Sequence, residues 1–361
     1  MDKELSQSAS AVRDAIKEEL SLYLKEQRTY LTNIASEMVP VCDALEDYLL
    51  QGGKRLRPLF AYAGFMAAGQ TPTKSEIRAM ASLELLQACA LIHDDLMDGS
   101  DTRRGKPAIH RHFENLHRQN KMAGEAVQFG EAAAVLLGDL TLVWSDHMLH
   151  NSGIAQNSLT AALRIHDEMR IELMAGQYLD VREAGEREHS VERSLRIARY
   201  KSGKYTIERP LHLGAVMALP SESENAELLN ALSAYGLPLG EAFQLRDDLL
   251  GIFGDPDTTG KPAGDDIREG KRTVLMAMTL EKAHGSARTE LVNSLGNPSL
   301  SAENIDALRN LIIETGAVAE VENLIERLAA ESGAAATGPA IHKEAHPFLL
   351  ALAETATRRS H

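Results

Sequence analysis

The sequence predicts an all-α protein built as a single large helical bundle. Apolar residues recur with helical spacing through most of the 361 residues, and alanine-rich apolar faces alternate with charged ones. No run of alternating β-branched residues is bounded by hairpin turns, which argues against strands. No Gly/Ser- or Pro-rich linker divides the chain. We therefore expect one domain over 1–361, with N-terminal helices in 1–50 and a core over about 50–350.

The helices follow from apolar stripes and from the residues that start or stop them. A charged amphipathic pattern covers 6–50 and ends in QGGKRLRP, where Gly52 and Gly53 favour a helix stop and Pro58 can open the next helix. The further predicted helices cover 59–68, 74–97, 128–151, 159–181, 190–219, 226–253, 271–284, 302–314, 318–332 and 339–356. The remaining segments, predicted to be irregular, are 99–120, 182–189, 254–270 and 285–301.

Composition limits the classes of function. The chain has 38 Lys and Arg against 52 Asp and Glu, a net charge of −14, which disfavours binding to nucleic acid or to an anionic membrane. An anionic ligand would therefore need a local basic cluster or metal ions. Cys42 and Cys89 form no CxxC motif, which fits a reducing compartment, and the N-terminus has no secretory signal. No uninterrupted apolar run of about 18 residues occurs, so we expect a cytoplasmic protein that is not a membrane protein.

Four aspartates follow an apolar helix within the sequence LIHDDLMDGSD. Asp94 and Asp98 share one helical face, Asp101 extends that line if the helix persists, and Asp95 points about 100° away. A solvated helix end is one interpretation. The preceding LELLQACALI looks buried, however, and charges beside a core are costly. Hard carboxylate oxygens that also meet substrate phosphates are typical of a Mg²⁺ site, the interpretation we favour.

A second acidic cluster stands in FQLRDDLLGIFGD. One helical stripe carries Gln244, Asp247, Asp248 and Gly251, and Asp255 follows the helix. Two carboxylate helices facing each other would make a metal-lined mouth. Cations accompany both clusters, although each taken alone is more typical of a solvated surface. They are Lys54, Arg55, Arg57, Arg103, Arg104, Lys201, Lys204, Lys261, Lys271 and Arg272. Together they indicate a polyanion bridged by metal.

In this order the motifs resemble those of the trans-isoprenyl diphosphate synthases, or polyprenyl synthetases, and the likeness is to geranylgeranyl diphosphate synthases. DDxxD stands at 94–98, the upstream basic motif is GGKRLRP, YKSGK resembles the family's K-T/S segment, and QLRDDLLGIFGD with GKPAGDDIREGKRT resembles its second aspartate-rich region. The resemblance covers about 50–350. It implies an isoprenoid-synthase bundle whose central cavity has the two aspartate-rich helices at its mouth.

The resemblance also implies the reaction. Isopentenyl diphosphate would be joined to an allylic diphosphate (dimethylallyl, geranyl or farnesyl) at a site with three Mg²⁺, for which Mn²⁺ can substitute. It implies that Asp94, Asp98 and Asp247 contact the metal, supported by Asp95 and Asp248. It implies that the allylic diphosphate is held by Arg103, Lys201, Lys261 and Lys271. It implies that isopentenyl diphosphate is held by Lys54, Arg57, Gln87 and Arg104. It further implies that Gln244 and the backbone of Lys201 and Ser202 stabilise the carbocation, and that the protein is a homodimer.

The second motif departs from the family pattern, because its third carboxylate position holds Gly251. That ligand is missing, and we expect Asp247 to make the metal contact with support from Asp248.

Product length depends on the helix before Asp94. One turn below lie Ala90 and Cys89, followed by Leu86 and then Leu83, at about 5.4 Å per turn. In the family, aromatic residues at the first level stop growth at C15. The small residues here let the tail pass, and we expect the leucines below them to close the pocket about one isoprene unit later. This predicts a C20 product, geranylgeranyl diphosphate, with some C15 farnesyl diphosphate.

Three alternatives remain open at the level of sequence. A longer-chain polyprenyl synthase differs only in cavity depth. A class I terpene cyclase also uses DDxxD, but the basic residues for a second diphosphate and the 4% aromatic content argue against it. A non-catalytic subunit would usually lack one acidic motif. The pair His342 and His346 has zinc-like spacing but no third ligand is evident, and we interpret it as incidental.

Overall fold

The computed structural model describes residues 3–186, 190–254 and 264–357, and helices make up nearly all of these ranges. In chain order the α-helices are α1 (Lys3–Ile34), α2 (Val39–Leu50), α3 (Leu56–Ala67), α4 (Lys74–Met97), α5 (Ile109–Gln119), α6 (Ala126–His150), α7 (Gln156–Ala184), α8 (Val191–Ile197), α9 (Arg209–Ala218), α10 (Glu222–Phe253), α11 (Asp265–Glu269), α12 (Val274–Lys282), α13 (Gly285–Ser294), α14 (Ala302–Glu314), α15 (Ala317–Ala335) and α16 (His346–Thr357). An 11-residue π-helical segment, Ala198–Glu208, joins α8 to α9, and short 3₁₀ turns cover Ser36–Met38 and Lys343–Ala345. The predicted all-α class is confirmed.

Helix α4 is the central element of the fold. A capping box starts it, because the Thr73 side chain accepts from the N–H of Ser75 at 3.3 Å and Glu76 accepts from the Thr73 N–H at 2.8 Å. Much of its length is then buried, Met80 and Leu83 completely, between α1, α3 and α6. The helix ends at Met97, which brings its last turn, with the aspartates, out of the core.

Two apolar cores meet along α10. The larger core gathers α1–α7, α9, α16 and the first part of α10, including Leu232 and Leu239. The second core forms around the later part of α10, from Leu245 to Ile252, with α11–α15. Because one helix belongs to both cores, the acidic residues near its C-terminal end are positioned by the packing of both.

The chain departs from the predicted elements in several places. The pattern over 6–50 is two helices, since the chain breaks at Ala35–Met38 before Pro40. The predicted irregular segments 99–120, 254–270 and 285–301 contain α5, α11 and α13. Helix α5 was not predicted because only Ile109, Phe113 and Leu116 form its apolar stripe, and charged and histidine residues stand between them. A two-stranded antiparallel ribbon, Thr102–Arg103 with Lys106–Pro107, corrects the expectation of no strands.

Helix α6 has the length and apolar composition of a membrane-spanning helix, with a mean hydropathy of 1.4 over its most apolar window. The sequence analysis found no uninterrupted apolar run in this helix because Glu131 and Asp139 interrupt it. The helix packs against α4 and α5 and buries Trp144 and Met148 in the core, but only 28% of that window is buried. Its outer face therefore leaves apolar surface uncovered.

Two glycines allow α3 and α9 to cross at backbone contact. A Cβ at Gly214 would lie 1.8 Å from the carbonyl oxygen of Ala61, and one at Gly64 would lie 2.0 Å from that of Leu211. Backbone cannot move aside as a flexible side chain can. This crossing is therefore specified by the absence of two methyl groups.

We expect Gly214→Ala to lower the free energy of unfolding by about 1–3 kcal/mol or more, because the added methyl forces α3 and α9 apart. Gly333→Ala in α15 is the matched control, since its Cβ would meet only the Leu350 side chain at 4.0 Å. The control should be neutral or stabilising by up to about 1 kcal/mol. Urea unfolding measures both, and equal effects would contradict the proposed crossing.

Candidate active site

A cavity of about 1010 Å³ opens between α4, α7, the π-helical segment and the C-terminal half of α10. Most of the predicted site residues line it: Lys54, Arg57, Gln87, Ala90, Asp94, Arg103, Arg104, Lys201, Ser202, Gln244, Asp247, Asp248 and Lys271. Asp95, Asp98, Leu86 and Cys89 lie outside this lining. Lys261 and Asp255 lie outside the described residues. The fold thus brings two distant acidic motifs and the basic turn at 52–57 to one space.

The first acidic motif divides between two environments. Asp94 faces the cavity, and Asp98 follows one turn later, its N–H donating to the Asp94 carbonyl at 2.8 Å. Asp95 turns inward, where it is 1% exposed and paired with Arg103, whose Nε donates to its two oxygens at 2.9 and 3.1 Å. Asp101 does not extend the line, because α4 has ended; it pairs with Arg111 at 2.6 Å on the surface.

Asp94 is held by two polar side chains from other elements. The Nζ of Lys201 lies 3.0 Å from its Oδ1, and the Nε2 of Gln177 donates to the same atom at 3.0 Å. Lys201 also contacts Asp180 at 2.6 Å. Burial by itself would raise the pKa of Asp94, but Lys201 and Lys271 together lower it to about 2. The carboxylate is therefore ionised at neutral pH.

Asp98 meets a second lysine. The Nζ of Lys271 lies 3.1 Å from Asp98 Oδ2, 2.7 Å from Glu269 and 3.7 Å from Asp266. Burial alone would lower the pKa of this ammonium, but the surrounding carboxylates, Asp266 first among them, raise it well above its usual range. Burial raises the pKa of Asp98, a change that Lys271 opposes. Lys201 and Lys271 thus stand as permanent cations beside the two aspartates.

The basic turn at 52–57 forms another part of the cavity wall. Arg55 adopts the left-handed conformation, with φ 51°, and turns into the core to pair with Glu84. Lys54 and Arg57, on either side of it, line the cavity. The turn therefore uses one cation for structure and leaves the other two at the cavity.

Arg57 belongs to a small polar network. Its Nη2 donates to the Thr206 hydroxyl at 2.8 Å, and its guanidinium carbon lies 4.1 Å from the centre of the Tyr205 ring. The Tyr205 hydroxyl in turn donates to Gln87 Oε1 at 2.9 Å. Buried polar groups need such partners, which answers why Gln87 stands within an apolar helix. The network fixes Gln87 and Arg57 relative to each other.

The π-helical segment places Lys201, Ser202 and Tyr205 along the cavity wall. π-Helical turns are rare and occur often at functional sites. Tight contacts hold the segment: a Cβ at Gly176 of α7 would lie 2.4 Å from the Lys201 nitrogen, and one at Gly240 of α10 would lie 2.6 Å from the Gly203 Cα. The helical periodicity over 190–219 did not predict this change of hydrogen-bond register.

The second acidic motif lies on the last turns of α10. Asp247 faces the cavity, and the Nε2 of Gln244 donates to Asp248 Oδ1 at 2.7 Å. Burial raises the pKa of Asp248 to about 7, although Gln244 opposes the change. At neutral pH Asp248 is thus a buried carboxyl group that is about half protonated, next to the partly exposed carboxylate of Asp247.

Some lining residues escaped the sequence analysis. Gln177 and Asp180 stand three apart in GQYLD, and with Leu173 they form one face of α7, a spacing that could have indicated them. Asp266 had no such signal, because its approach to α10 depends on the fold. Arg272, grouped among the cations without a role, lines the cavity with Nε and Nη1 unpartnered among the described residues.

The donor set fits Mg²⁺ that is shared with a phosphate ligand. Hard carboxylate oxygens from α4 and α10 face one cavity whose other walls carry Lys54, Arg57 and Arg272. Within the described ranges, no three Asp, Glu, His or Cys side chains converge as a cage formed by protein alone would require. Mg²⁺ usually binds through one or two carboxylates with substrate phosphates completing its shell, which this arrangement suits.

Comparison with known proteins agrees with this geometry. The family model of polyprenyl synthetases matches residues 39–312. The chain belongs to the polyprenyl synthetase family. It is 32% identical to a geranylfarnesyl diphosphate synthase from Aeropyrum pernix, over 75% of this chain and 79% of the relative, and 32% identical to a short chain isoprenyl diphosphate synthase from Methanocaldococcus jannaschii, over 80% and 78%.

A solved structure is similar over nearly the whole chain. It is the geranylgeranyl pyrophosphate synthase of Corynebacterium glutamicum, complexed with isoprenyl diphosphate and magnesium; it is 42% identical, with a TM-score of 0.92 over 97% of this chain and 99% of that one. The predicted family, the isoprenoid-synthase fold and the class of enzyme are thereby confirmed. The protein is a trans-prenyltransferase.

The pKa of Asp248 makes stability depend on pH. Its folded-state pKa of about 7 exceeds the ordinary 3.8, so the unfolded chain ionises first and folding stability falls as pH rises from about 4 to 7. In chelator-containing buffer, we expect the free energy of unfolding of the wild type to fall by about 1–4 kcal/mol over this pH range. In Asp248→Asn this fall should be absent. Urea unfolding at pH 5 and pH 8 measures it. The surface variant Asp101→Asn is the control, and identical pH profiles for both variants would contradict the buried carboxyl.

Proposed function

We propose that the protein condenses isopentenyl diphosphate with allylic diphosphates (dimethylallyl, geranyl and farnesyl) in a Mg²⁺-dependent reaction, and that its main all-trans product is geranylgeranyl diphosphate with some farnesyl diphosphate. One observation carries the proposal: a single cavity holds two separate sets of groups suited to diphosphates. Asp94, Asp247 and Lys201 form one set, and Lys54 and Arg57 form the other. Two diphosphate substrates require such a pair of sites.

The allylic diphosphate binds at the acidic end. Asp94, Asp98 and Asp247 would hold Mg²⁺, and we propose three ions per site with Mn²⁺ able to substitute. When bound, the metal neutralises the diphosphate and stabilises it as a leaving group. Lys201 and Lys271, kept protonated by their carboxylate neighbours, donate hydrogen bonds to phosphate oxygens. We further propose that Lys261 and Arg103 contribute positive charge here, Arg103 while remaining paired with Asp95.

The bond changes follow from this placement. The allylic C–O bond breaks heterolytically, and its electron pair leaves with the diphosphate. The double bond of isopentenyl diphosphate attacks the resulting cation, and loss of a proton to the departed diphosphate restores a double bond. The amide of Gln244 and the Lys201–Ser202 backbone line the cavity where they can orient dipoles toward the cation.

Isopentenyl diphosphate binds at the basic turn. Lys54, Arg57 and Arg104 supply charge, and Gln87 is oriented by the Tyr205 hydroxyl. Arg104 lies at the mouth, where its Nη1 donates to the carbonyl of Gln51 at 3.1 Å. The stacking of Arg57 on Tyr205 and its hydrogen bond to Thr206 reduce the freedom of the guanidinium before substrate arrives, which favours binding.

Product length follows from the cavity-facing side of α4. Its lining positions are Glu84, Gln87, Ala90, Leu91 and Asp94, so the tail meets a small alanine one turn below the acidic motif. Cys89 is 1% exposed and turns toward His93, its Sγ 3.8 Å from Nδ1. Leu86 is fully buried. We therefore assign the first length-determining level to Ala90, with Cys89 and Leu86 behind the wall.

The alternatives differ in what they can explain. A cyclase has no use for the second set of cations, and a non-catalytic subunit has no use for carboxylates in both motifs. A longer-chain synthase is kept as an outcome of the product assay. Incubating the protein with isopentenyl diphosphate and each allylic primer, followed by chromatography of the products, tests the function directly; a protein that does not extend any primer would overturn it.

We propose one domain over 1–361 and a cytoplasmic homodimer. The outer faces of α6 and α7 support the dimer, because they expose Leu136 (66%), Val143 (61%), Ile171 (69%) and Tyr178 (68%). Exposed apolar surface of this extent favours a partner over water. A second copy buries it symmetrically and explains the apolar composition of α6 without a membrane. Light scattering that reports a monomer would contradict this assembly.

The carboxylates should be essential together with the metal. We expect Asp94→Ala, Asp98→Ala and Asp247→Ala each to lower the turnover rate at least about 10²-fold, because each removes charge that stabilises the departing diphosphate. A chelator should abolish activity, and Mg²⁺ or Mn²⁺ should restore it. Asp101→Ala, on the exposed side of the same segment, is the control. Full activity in any of the three variants would exclude that residue from the metal ligands.

The length assignment should respond to volume at one position. We expect Ala90→Phe to shift the main product from C20 to C15 or shorter, because the ring fills the lined side of α4. Ala90→Ser, nearly equal in size to the native residue, should keep the native length. Product chromatography measures both, and a native product profile from Ala90→Phe would place the floor elsewhere.

A further inference from the structure

The two-stranded ribbon between α4 and α5 carries one of the cavity residues but buries little of itself. Thr102, Lys106 and Pro107 are exposed, and only Arg103 of the four strand residues is partly buried. An isolated pair of strands is marginally stable in water, because it has no core to pack against. Arg104, at the turn of the ribbon, nevertheless lines the cavity. Side-chain contacts with neighbouring helices must therefore hold the ribbon in place.

The turn of the ribbon directs Arg104 toward the basic turn at 52–57. Arg104 and Gly105 both have positive φ, 55° and 73°, as the two central residues of a type I′ hairpin turn do. The Nη1 of Arg104 donates to the Gln51 carbonyl at 3.1 Å, and a Cβ at Gly53 would lie 3.3 Å from its Nη2. The guanidinium thus lies at the C-terminal end of α2, where the helix dipole favours a cation. This placement of Arg104 depends on where the ribbon is held.

Two cations, one on each strand, anchor the ribbon to two helices. On the first strand, Arg103 pairs with Asp95 of α4. On the second strand, the Nζ of Lys106 donates to both carboxylate oxygens of Asp47, at 2.8 and 2.6 Å, and to Oε1 of Gln51 at 2.6 Å. An ammonium has three donors, and these three acceptors match them. Because Asp47 lies on the last turn of α2 and Gln51 caps that helix, Lys106 fastens the ribbon to the helix end.

The Lys106 contact lies outside the cavity lining, but it links two segments that contribute to the cavity. Helix α2 leads directly into the basic turn with Lys54 and Arg57, and the ribbon carries Arg104. These three cations line one cavity, and like charges repel one another. The carboxylate of Asp47 attracts the second strand of the ribbon from outside the cavity and opposes a separation of the ribbon from the basic turn.

We propose that Asp47 and Lys106 form a latch that positions Arg104 for isopentenyl diphosphate, and that Gln51 joins the latch to the carbonyl that Arg104 contacts. The inference rests on the proposed function, in which Arg104 binds this substrate. Both latch residues are positioning residues, because they act by keeping the ribbon beside the basic turn. The allylic diphosphate is independent of the latch, since Arg103 is held separately by Asp95.

The test measures the Michaelis constants of the two substrates separately, with farnesyl diphosphate as the allylic substrate. Asp47→Asn keeps the shape of the side chain and removes its charge. We expect it to raise the KM for isopentenyl diphosphate about three- to fivefold, the upper end of what an exposed ion pair contributes. The kcat and the KM for farnesyl diphosphate should stay within about twofold. Asp43→Asn is the matched control and should change neither KM, because Asp43 stands one turn earlier on α2 and pairs with Arg28 at 2.7 Å.

A charge exchange separates positioning from a general loss of structure. Lys106→Asp alone should raise the same KM, since it places two carboxylates against each other. The double variant Asp47→Lys with Lys106→Asp should return this KM to within about twofold of the wild type, because opposite charges face each other again. Thermal unfolding identifies any variant that fails to fold, and Asp47→Asn decides the question if the exchanged pair does not fold.

Three results would overturn the latch. They are an unchanged KM for isopentenyl diphosphate in Asp47→Asn, equal increases in both KM values, and a folded double variant no better than Lys106→Asp. Failure of the proposed function is a different result. A wild type that extends no primer contradicts the function, whereas an active wild type whose KM for isopentenyl diphosphate does not respond to Asp47→Asn contradicts only the latch.

Discussion

The convergence of like charges on one cavity is the constraint on which the rest of the molecule depends. Carboxylates from α4 and α10 would repel one another at the edge of a core, and burial would raise their cost further. Lys201 bridges Asp94 of α4 and Asp180 of α7, while Lys271 bridges Asp98, directly after α4, and Glu269 of α11. Each lysine therefore stabilises the packing of two elements and at the same time supplies a charge that a phosphate can use.

Close backbone contacts deliver these lysines to their positions. Lys201 stands on a π-helical segment that fits against α7 and α10 only where glycines remove a side chain, at Gly176 and at the Gly203–Gly240 pair. The irregular register costs helical hydrogen-bond quality but turns Lys201, Ser202 and Tyr205 to one side. Which side chains line the cavity therefore depends on how closely the neighbouring helices pack as well as on the residues of the π-helical segment.

The predictable part of the site was the part that depends on one helix. The shared face of Asp94 and Asp98, and the direction of Asp95 about 100° away from them, follow from helical geometry. In the structure Asp94 faces the cavity and Asp95 is buried away from it. The family and the all-α class were likewise readable from ordered motifs. Features that depend on contacts between distant segments could not be predicted from the sequence. Gln177 of α7, the change to a π-helix and the pairing of Arg103 with Asp95 require the packed fold, and α5 was hidden because its three apolar residues stand among charges.

Contacts between distant segments also position the acidic residues at the end of α10. The distance between the acidic groups is set where α10 passes from the larger core, at Leu239, into the second core, at Leu245 and Leu249. That second core also contains Ile267, which anchors α11 beside α10. The backbone of α11 is therefore held beside the last turns of α10 by the same core that holds α10. At Gly251 the absence of a side chain leaves room for the carboxyl group of Asp266, so the close approach of α10 and α11 depends on a glycine as well as on the second core.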